Sequence, residues 1–557
     1  MRGIVAVEKK KVAILSNITV DLIRQKLRRD YDVYIPEGFD TWVQEVLNPS
    51  APLYNSSLDA VIVLLDGMEA RSWRDRSQAR ERLSLWKQAL NILEGHMEKL
   101  PVFVTTLDLR ENRIKAFSER SWRRELENDW YQFVQDLAEK CGHVYVFDLA
   151  DRIADLGRAQ AYSDKMWYMS SMPYSRDGLQ LVSEEIRNAL GSAFSPRKKI
   201  IALDLDNTLW GGVIGEDGVD GIELSDHKEG QRFYDFQRQL LEMQRRGTLL
   251  AINSKNNPED ADKAFIEHPS MLIRKENLVL EKVNWNDKAS NLKDMEAELN
   301  LTEGSFVFID DNPVEREIVK GECPEVLVPD FPEDTSTLLA FAENLYRSCL
   351  RPLHLLKEDV EKTRQYQAEA KRKEEQRGSL NLDDYLSRLE IRADIHRMKP
   401  DELSRTAQLC GKTNQFNLTT KRYTEAELLE LSQDPLYTIY TVHAADKYGE
   451  NGLISVVILK QEDEAAEFDT FLMSCRVMGR KLEDVILNEI AADQCGSKKE
   501  LIGCYIPTAK NKPVSDLYDR LGFELSGTDG GTKYYHLDLR NYQRKEIDAY
   551  ASIQFES

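Results

Sequence analysis

Short apolar runs alternate along the first part of the chain with longer stretches in which apolar residues recur every three to four positions. The runs at 12–14, 60–65, 102–105 and 144–147 predict strands buried on both faces, and 77–93 and 122–139 predict amphipathic helices between them. That alternation predicts a doubly wound parallel sheet over residues 1–195. The pattern restarts over 196–352, where Ile200–Leu203, 249–252 and 305–309 predict a second parallel layer. Residues 353–387 are charged, most densely at 358–377, and predict a solvated bridging helix. Over 388–557 the runs 438–442, 452–460 and 468–474 predict strands of a third, α+β domain, with a helix opening near 476–481.

Composition narrows the class. At 557 residues the chain exceeds one ordinary core, and its 41% apolar and 31% charged residues describe a globular protein. No apolar run is long enough for a bilayer, and the first residues carry no long apolar stretch and read as the start of a strand, so no membrane contact and cytoplasmic residence are expected. A formal net charge of −21 argues against nucleic acid as a partner. Basic clusters at 197–199, 476–481 and 510–512 read as solvated surface. Seven scattered cysteines and eight dispersed histidines show no metal-ligand spacing and suit reduced thiols.

Candidate chemistry gathers at the ends of the central strands. Ile200–Leu203 leads into Asp204-Leu205-Asp206-Asn207-Thr208; the next strand leads into Asn253-Ser254-Lys255-Asn256; the last ends in Asp310-Asp311-Asn312, and Lys288 lies between. Ligands of open α/β sheets bind at the carboxyl ends of the strands. In a regular strand Asp204 and Asp206 would share one face. The set suits phosphoryl transfer, with Asp204 as nucleophile, Asp206 as general acid/base, and Ser254 and Lys288 holding phosphoryl oxygens. Asp204, Asp206, Asp310 and Asp311 supply the hard oxygens that Mg2+ prefers. Asn253, Thr208, Lys255 and Asn256 complete the candidate substrate contacts.

In order, Asp204/Asp206, Ser254, Lys288 and Asp310/Asp311 resemble the four motifs of the haloacid dehalogenase superfamily. DLDNTLWGGVIGEDG from Asp204, then SKNNPEDA, NWNDKASNL and FIDDNPVEREIV, resemble the FkbH-like family over residues 198–350. The resemblance implies a Rossmann-like parallel sheet with a small cap. It further implies a Mg2+-dependent enzyme that takes an acyl phosphate, 1,3-bisphosphoglycerate, releases phosphate and loads the glyceryl unit on the phosphopantetheine thiol of an acyl carrier protein for polyketide-type assembly. Asn253 stands where glyceryl-loading members carry a cysteine, and an amide forms no thioester. Direct passage to the carrier thiol, a different acyl donor, or dephosphorylation alone therefore all remain open, beside a non-enzymatic assembly role. The glycine-rich insertion 210–224 predicts a small β-flap.

The flanking domains carry further resemblances. Residues 1–195 are similar to SGNH hydrolases, with Ser16 after the first strand, but Gln180 stands where Asp177-Gly178-Leu179-Gln180 should end in histidine. Without an imidazole Ser16 has no base there, which implies a non-hydrolytic docking or scaffold domain. Residues 514–523 resemble the late helix-to-strand segment of GNAT-type acyltransferases. Arg476 and Gly479 fit that fold's pyrophosphate loop, whereas Lys481 replaces its last small residue; the expected role is contact with a phosphopantetheine arm or carrier protein, with a purely structural role as the alternative. Asn414-Gln415-Phe416-Asn417 and Cys475 are further candidates there.

Overall fold

The computed structural model describes residues 9–97, 100–111, 114, 116–355 and 357–556. The start expected for residues 1–8 lies outside that set. The chain divides into two compact units, Met1–Lys362 and Thr363–Ser557.

The first unit holds two parallel sheets. One contains β1 (Lys10–Ser16), β2 (Tyr31–Tyr34), β3 (Ala60–Leu64), β4 (Val102–Thr105) and β5 (Val144–Phe147), in the order β2-β1-β3-β4-β5. Every residue of β3 and β4 is buried, as continuous apolar runs between two helical layers require. Helices Arg76–His96 and Arg123–Cys141 cover one face, where Trp86 packs edge-on to Trp130. The second sheet contains β6 (Ile200–Leu203), β7 (Leu249–Ser254), β8 (Leu278–Val283) and β9 (Phe306–Ile309), in the order β8-β7-β6-β9. From β6 the chain builds outward through β7 to β8 and then returns to pair β9 with the free edge of β6. The order thus reverses between β6 and β9, and a crevice opens there at the carboxyl ends of the strands.

The second unit is a mixed eight-stranded sheet. Its strands are β10 (Ile391–Arg397), β11 (Tyr437–Asp446), β12 (Gly449–Gln461), β13 (Ala465–Met473), β14 (Glu500–Tyr505), β15 (Glu524–Asp529), β16 (Thr532–Asp538) and β17 (Tyr550–Glu556). Helix Leu482–Gln494 follows residues 476–481, as the pattern predicted. The charged stretch does form a helix, Lys357–Arg377, but it is no bare bridge. Ala368 and Arg372 are buried, and Arg372 makes a two-pronged ion pair with buried Asp446, as a guanidinium does when its fork meets a carboxylate out of water. Among the described residues no helix is long and apolar enough to cross a membrane.

Candidate active site

Four loops leave the carboxyl ends of β6 to β9 and meet over the crevice. Asp204 follows β6 directly, its amide still donating to the Ile309 carbonyl in ladder fashion. The strand then ends: Leu209 N–H donates to Leu205 O, and Asn207 takes a left-handed φ of 53°. Asp204 and Asp206 therefore do not share a strand face, because the chain has already turned between them.

Lys288 is the first residue of helix Lys288–Leu299, which Asp287 caps by accepting from the Ser290 amide. Its ammonium is buried 3.0 Å from Asp204 Oδ2 and 2.5 Å from Asp310 Oδ2. Carboxylate oxygens of Asp204, Asp310 and Asp311 lie within 4.8 Å of one another. Burial pushes the Asp310 carboxyl up to about 6; the charge of Asp204 adds to this, against the pull of Lys288. Asp311 moves up for the same first two reasons. Burial alone would lower Lys288, but Asp204 and Asp310 outweigh it and hold the lysine charged. Three carboxylates thus face one ammonium, and a divalent cation with a preference for oxygen is the complement such a donor set lacks.

Asp206 departs from the expected ligand set. Its Oδ1 accepts from Trp210 Nε1 and the Ile214 amide, each at 3.0 Å, and its Oδ2 accepts from Asn256 Nδ2 at 2.9 Å. The carboxylate is turned toward the 210–224 insertion and away from the Asp204 cluster. Burial raises its pKa, opposed by those hydrogen bonds. That insertion is not the small β-flap expected. A single bridge, Gly211 to Glu223, closes it around the short helix Ile214–Asp217, and Asp206 fastens it through the Ile214 amide.

The remaining candidates divide between site and scaffold. Ser254 ends β7 in the same row of strand ends and is 1% exposed. Thr208 accepts the Asp311 amide at 3.2 Å, which orients the acidic loop. Asn253 and Lys255, expected to touch substrate, are engaged within the protein. Asn253 donates to the Lys288 carbonyl at 2.9 Å and accepts from Asn291 at 3.0 Å, with no exposed surface. Its side chain sits one residue out of phase with Ser254 and points back into the scaffold, pinning β7 to the helix that carries Lys288. Lys255 pairs with Glu315 at 2.6 Å. Two positioning residues escaped the sequence reading. Asn291 stands one helical turn after Lys288 and joins Asn253 to Asn284. Arg316 donates to the carbonyls of Asp310 and Asp311, at 2.8 and 2.6 Å. The spacing Lys-x-x-Asn and Asp-Asp-x-x-x-x-Arg was the available signal, since both partners fall within one turn of a helix start.

The flanking candidates lie elsewhere. Ser16 ends β1, where its hydroxyl donates to the Leu64 carbonyl at 2.6 Å and accepts the Ile18 amide. It borders a cleft of about 230 Å³ with Thr19, Pro36, Phe39 and Trp42. Gln180 instead pairs with Lys26, and Asp177 accepts from Gln160. In the second unit Arg476 is exposed and donates to Gln365 at 3.3 Å, while Gly479 adopts a left-handed φ of 77°. Neither shares the first unit with Asp204. Asn417 is buried and accepts the Thr420 amide, a loop-closing role; the Cys475 side chain lies outside the described residues.

No protein-family model and no curated protein matches the chain. Among solved structures, it is similar to the N-terminal part of a Bacteroides fragilis protein, which contains a phosphatase domain and was crystallised with Mg: 25% identity, TM-score 0.56, covering 63% of this chain and 96% of that one. Weaker likenesses reach the Escherichia coli ribosomal-protein-S18-alanine N-acetyltransferase (13% identity, TM-score 0.22, 28% and 99% of the two chains). They also reach Vibrio cholerae spermidine N-acetyltransferase in complex with CoA and spermine (16% identity, TM-score 0.22, 27% and 96%).

Proposed function

We propose that the chain is a Mg2+-dependent, phosphatase-like enzyme that works through Asp204. The observation that carries this reading is the buried Asp204–Lys288–Asp310–Asp311 cluster at the point where strand order reverses. Asp204, Asp310 and Asp311 would hold the ion, in keeping with the Mg-bound phosphatase domain of the Bacteroides fragilis structure. Once bound, it would neutralise phosphoryl oxygens that otherwise repel an anionic nucleophile.

Lys288 holds the Asp204 carboxylate in place through one oxygen, so the other is free as a nucleophile for phosphorus. Ser254 lies at the neighbouring strand end, where its hydroxyl would donate to a phosphoryl oxygen. Asp206, whose pKa burial raises, would serve as general acid/base once its carboxyl turns from the insertion loop toward Asp204: it would protonate the leaving oxygen and then take a proton from the water that frees Asp204.

The finer reading follows the FkbH-like resemblance. The substrate is an acyl phosphate such as 1,3-bisphosphoglycerate. The thiol of an acyl carrier protein attacks its acyl carbon, the thioester forms as the acyl C–O bond breaks and phosphate leaves, and Asp204 takes the phosphoryl group of the remaining ester phosphate. Exposed Val213 and Trp285 lie on the loops that follow β6 and β8, and exposed Val314 in the first turn of the helix Pro313–Glu322 after β9; together they support a substrate delivered by a macromolecule. The engaged side chain of Asn253 favours the other reading, phosphate release without any acyl-enzyme at that position.

The test combines phosphate release from acetyl phosphate and 1,3-bisphosphoglycerate with intact-mass analysis of a holo acyl carrier protein. Mg2+-dependent release that is lost in Asp204→Asn supports the enzyme. A glyceryl-sized mass gain on the carrier supports transfer, and release without that gain leaves the phosphatase. Equal turnover by wild type and Asp204→Asn overturns both.

A further inference from the structure

A second cluster of ligating side chains stands in the other unit, built from residues far apart in sequence. In β10 and β11, His396 lies opposite Thr441 and Asp394 opposite His443, so antiparallel register puts the two histidines on one face as diagonal neighbours. The turn Pro400–Glu402 folds over that face and inserts Glu402 between them. Glu402 Oε1 lies 3.0 Å from His396 Nε2 and 2.6 Å from His443 Nε2. The other oxygen, Oε2, is already taken by the Thr441 hydroxyl at 2.8 Å and the Lys399 amide at 3.0 Å. One carboxylate oxygen and two ring nitrogens therefore converge, all within 4.8 Å.

The surroundings of His396 make this more than a hydrogen-bonded trio. Its side chain is 5% exposed, and Asp394 Oδ1 lies 3.4 Å from Nδ1 without forming a hydrogen bond. Carboxylates thus flank both nitrogens of one ring, whereas neutral imidazole carries a single N–H. Either tautomer points a lone pair at an anion. The two rings stack, 15° from parallel with centroids 5.4 Å apart, and bring both Nε2 atoms to the one Glu402 oxygen. A metal ion on the two Nε2 atoms removes the conflict: His396 Nδ1–H then faces Asp394, the carboxylate–histidine–metal arrangement common around such ligands.

We propose that His396, His443 and Glu402 form a binding site for a divalent transition-metal ion, with zinc as the best fit. Two imidazoles and one carboxylate are a familiar zinc donor set, and imidazole disfavours magnesium. Ligand atoms around tetrahedral zinc stand roughly 3.3 Å apart, so Glu402 Oε1 needs to draw back by about 0.3 Å from His396 and about 0.7 Å from His443. Three protein ligands leave a fourth position for water, reached past His443, whose side chain is 34% exposed. The ion fastens the turn at Glu402, and the helix Leu403–Lys412 that follows it, to β10 and β11.

The full-length protein, stripped with a chelator and returned to buffer containing millimolar Mg2+, is titrated with ZnCl2 by calorimetry and followed by thermal melting. The expected result is one zinc-binding event and a raised melting temperature in wild type and Asp310→Asn, both lost in His443→Ala and Glu402→Gln. Asp394→Asn keeps all three ligands and weakens zinc by about tenfold or more. Far-UV circular dichroism establishes that each variant is folded, and should His443→Ala fail to fold, Asp394→Asn decides. An unchanged zinc isotherm in His443→Ala or Asp394→Asn, or no zinc bound by wild type at micromolar concentration, overturns the proposal.

Discussion

Replacing Asn253 by alanine separates a scaffold residue from a substrate ligand. The side chain is fully buried, donates to the Lys288 carbonyl and accepts from Asn291. Alanine leaves one N–H of Asn291 without its partner and the Lys288 carbonyl with its intrahelical one alone, at a fully buried position. An unpaired buried N–H costs about 1–3 kcal/mol and a hydrogen bond lost from a carbonyl that keeps another about 0.5–1.5, so the change should cost roughly 2–4 kcal/mol. The unit that contains it spans Met1–Lys362. At about 2.1 cal/mol/K per residue, its unfolding entropy converts that loss into a fall of roughly 3–5 °C in its melting temperature. Differential scanning calorimetry reads the shift, and steady-state phosphate release gives kcat and KM. Because Asn253 holds the start of the helix bearing Lys288, kcat should fall with KM little changed. A melting temperature within about one degree of wild type, with a tenfold rise in KM, would refute the reasoning and return Asn253 to the substrate.

Two further outcomes follow from buried ion pairs. Lys288→Met removes the ammonium between Asp204 and Asp310, leaving buried carboxylates facing one another; without divalent ions the first unit should lose about 3–5 kcal/mol, with Mg2+ restoring part of it in melting experiments, and equal melting with and without Mg2+ would contradict this. In the second unit, burial would raise the Asp446 carboxyl, but Arg372 and then Arg480 hold it below 3.8. A depressed folded pKa means its stabilisation is complete above about pH 4 and is lost as pH falls through the folded value. Asp446→Asn should therefore lower stability at pH 7 and flatten its decline between pH 5 and 3 in denaturant titrations; a parallel decline in both proteins would argue against the pair as the cause.

The central chemistry was legible in the sequence because it follows from position in a parallel sheet. An aspartate placed just after a buried apolar run lands at a carboxyl strand edge whatever the details of packing. Ile200–Leu203 and Phe306–Ile309 therefore announced Asp204 and Asp310. Lys288 was legible from its place between the strand ends. Strands with little apolar signal were not: β8 carries Glu281 and Lys282 before its last residue, β15 is exposed along its whole length, and β17 buries none of its residues. Edge strands of this kind are held by backbone pairing, which leaves no periodic mark.

Tertiary structure alone decided how each polar side chain spends its hydrogen-bonding capacity. Sequence placed Asn253, Lys255 and Asp206 near the site. Packing gave the first to a scaffold carbonyl, the second to Glu315 and the third to the insertion loop. The histidines showed no spacing because His396 and His443 meet through strand register, and Glu402 reaches them only when a turn folds over the sheet. Local order determines where a strand end points, whereas contacts between distant segments depend on pairing and closure that no short window of sequence contains.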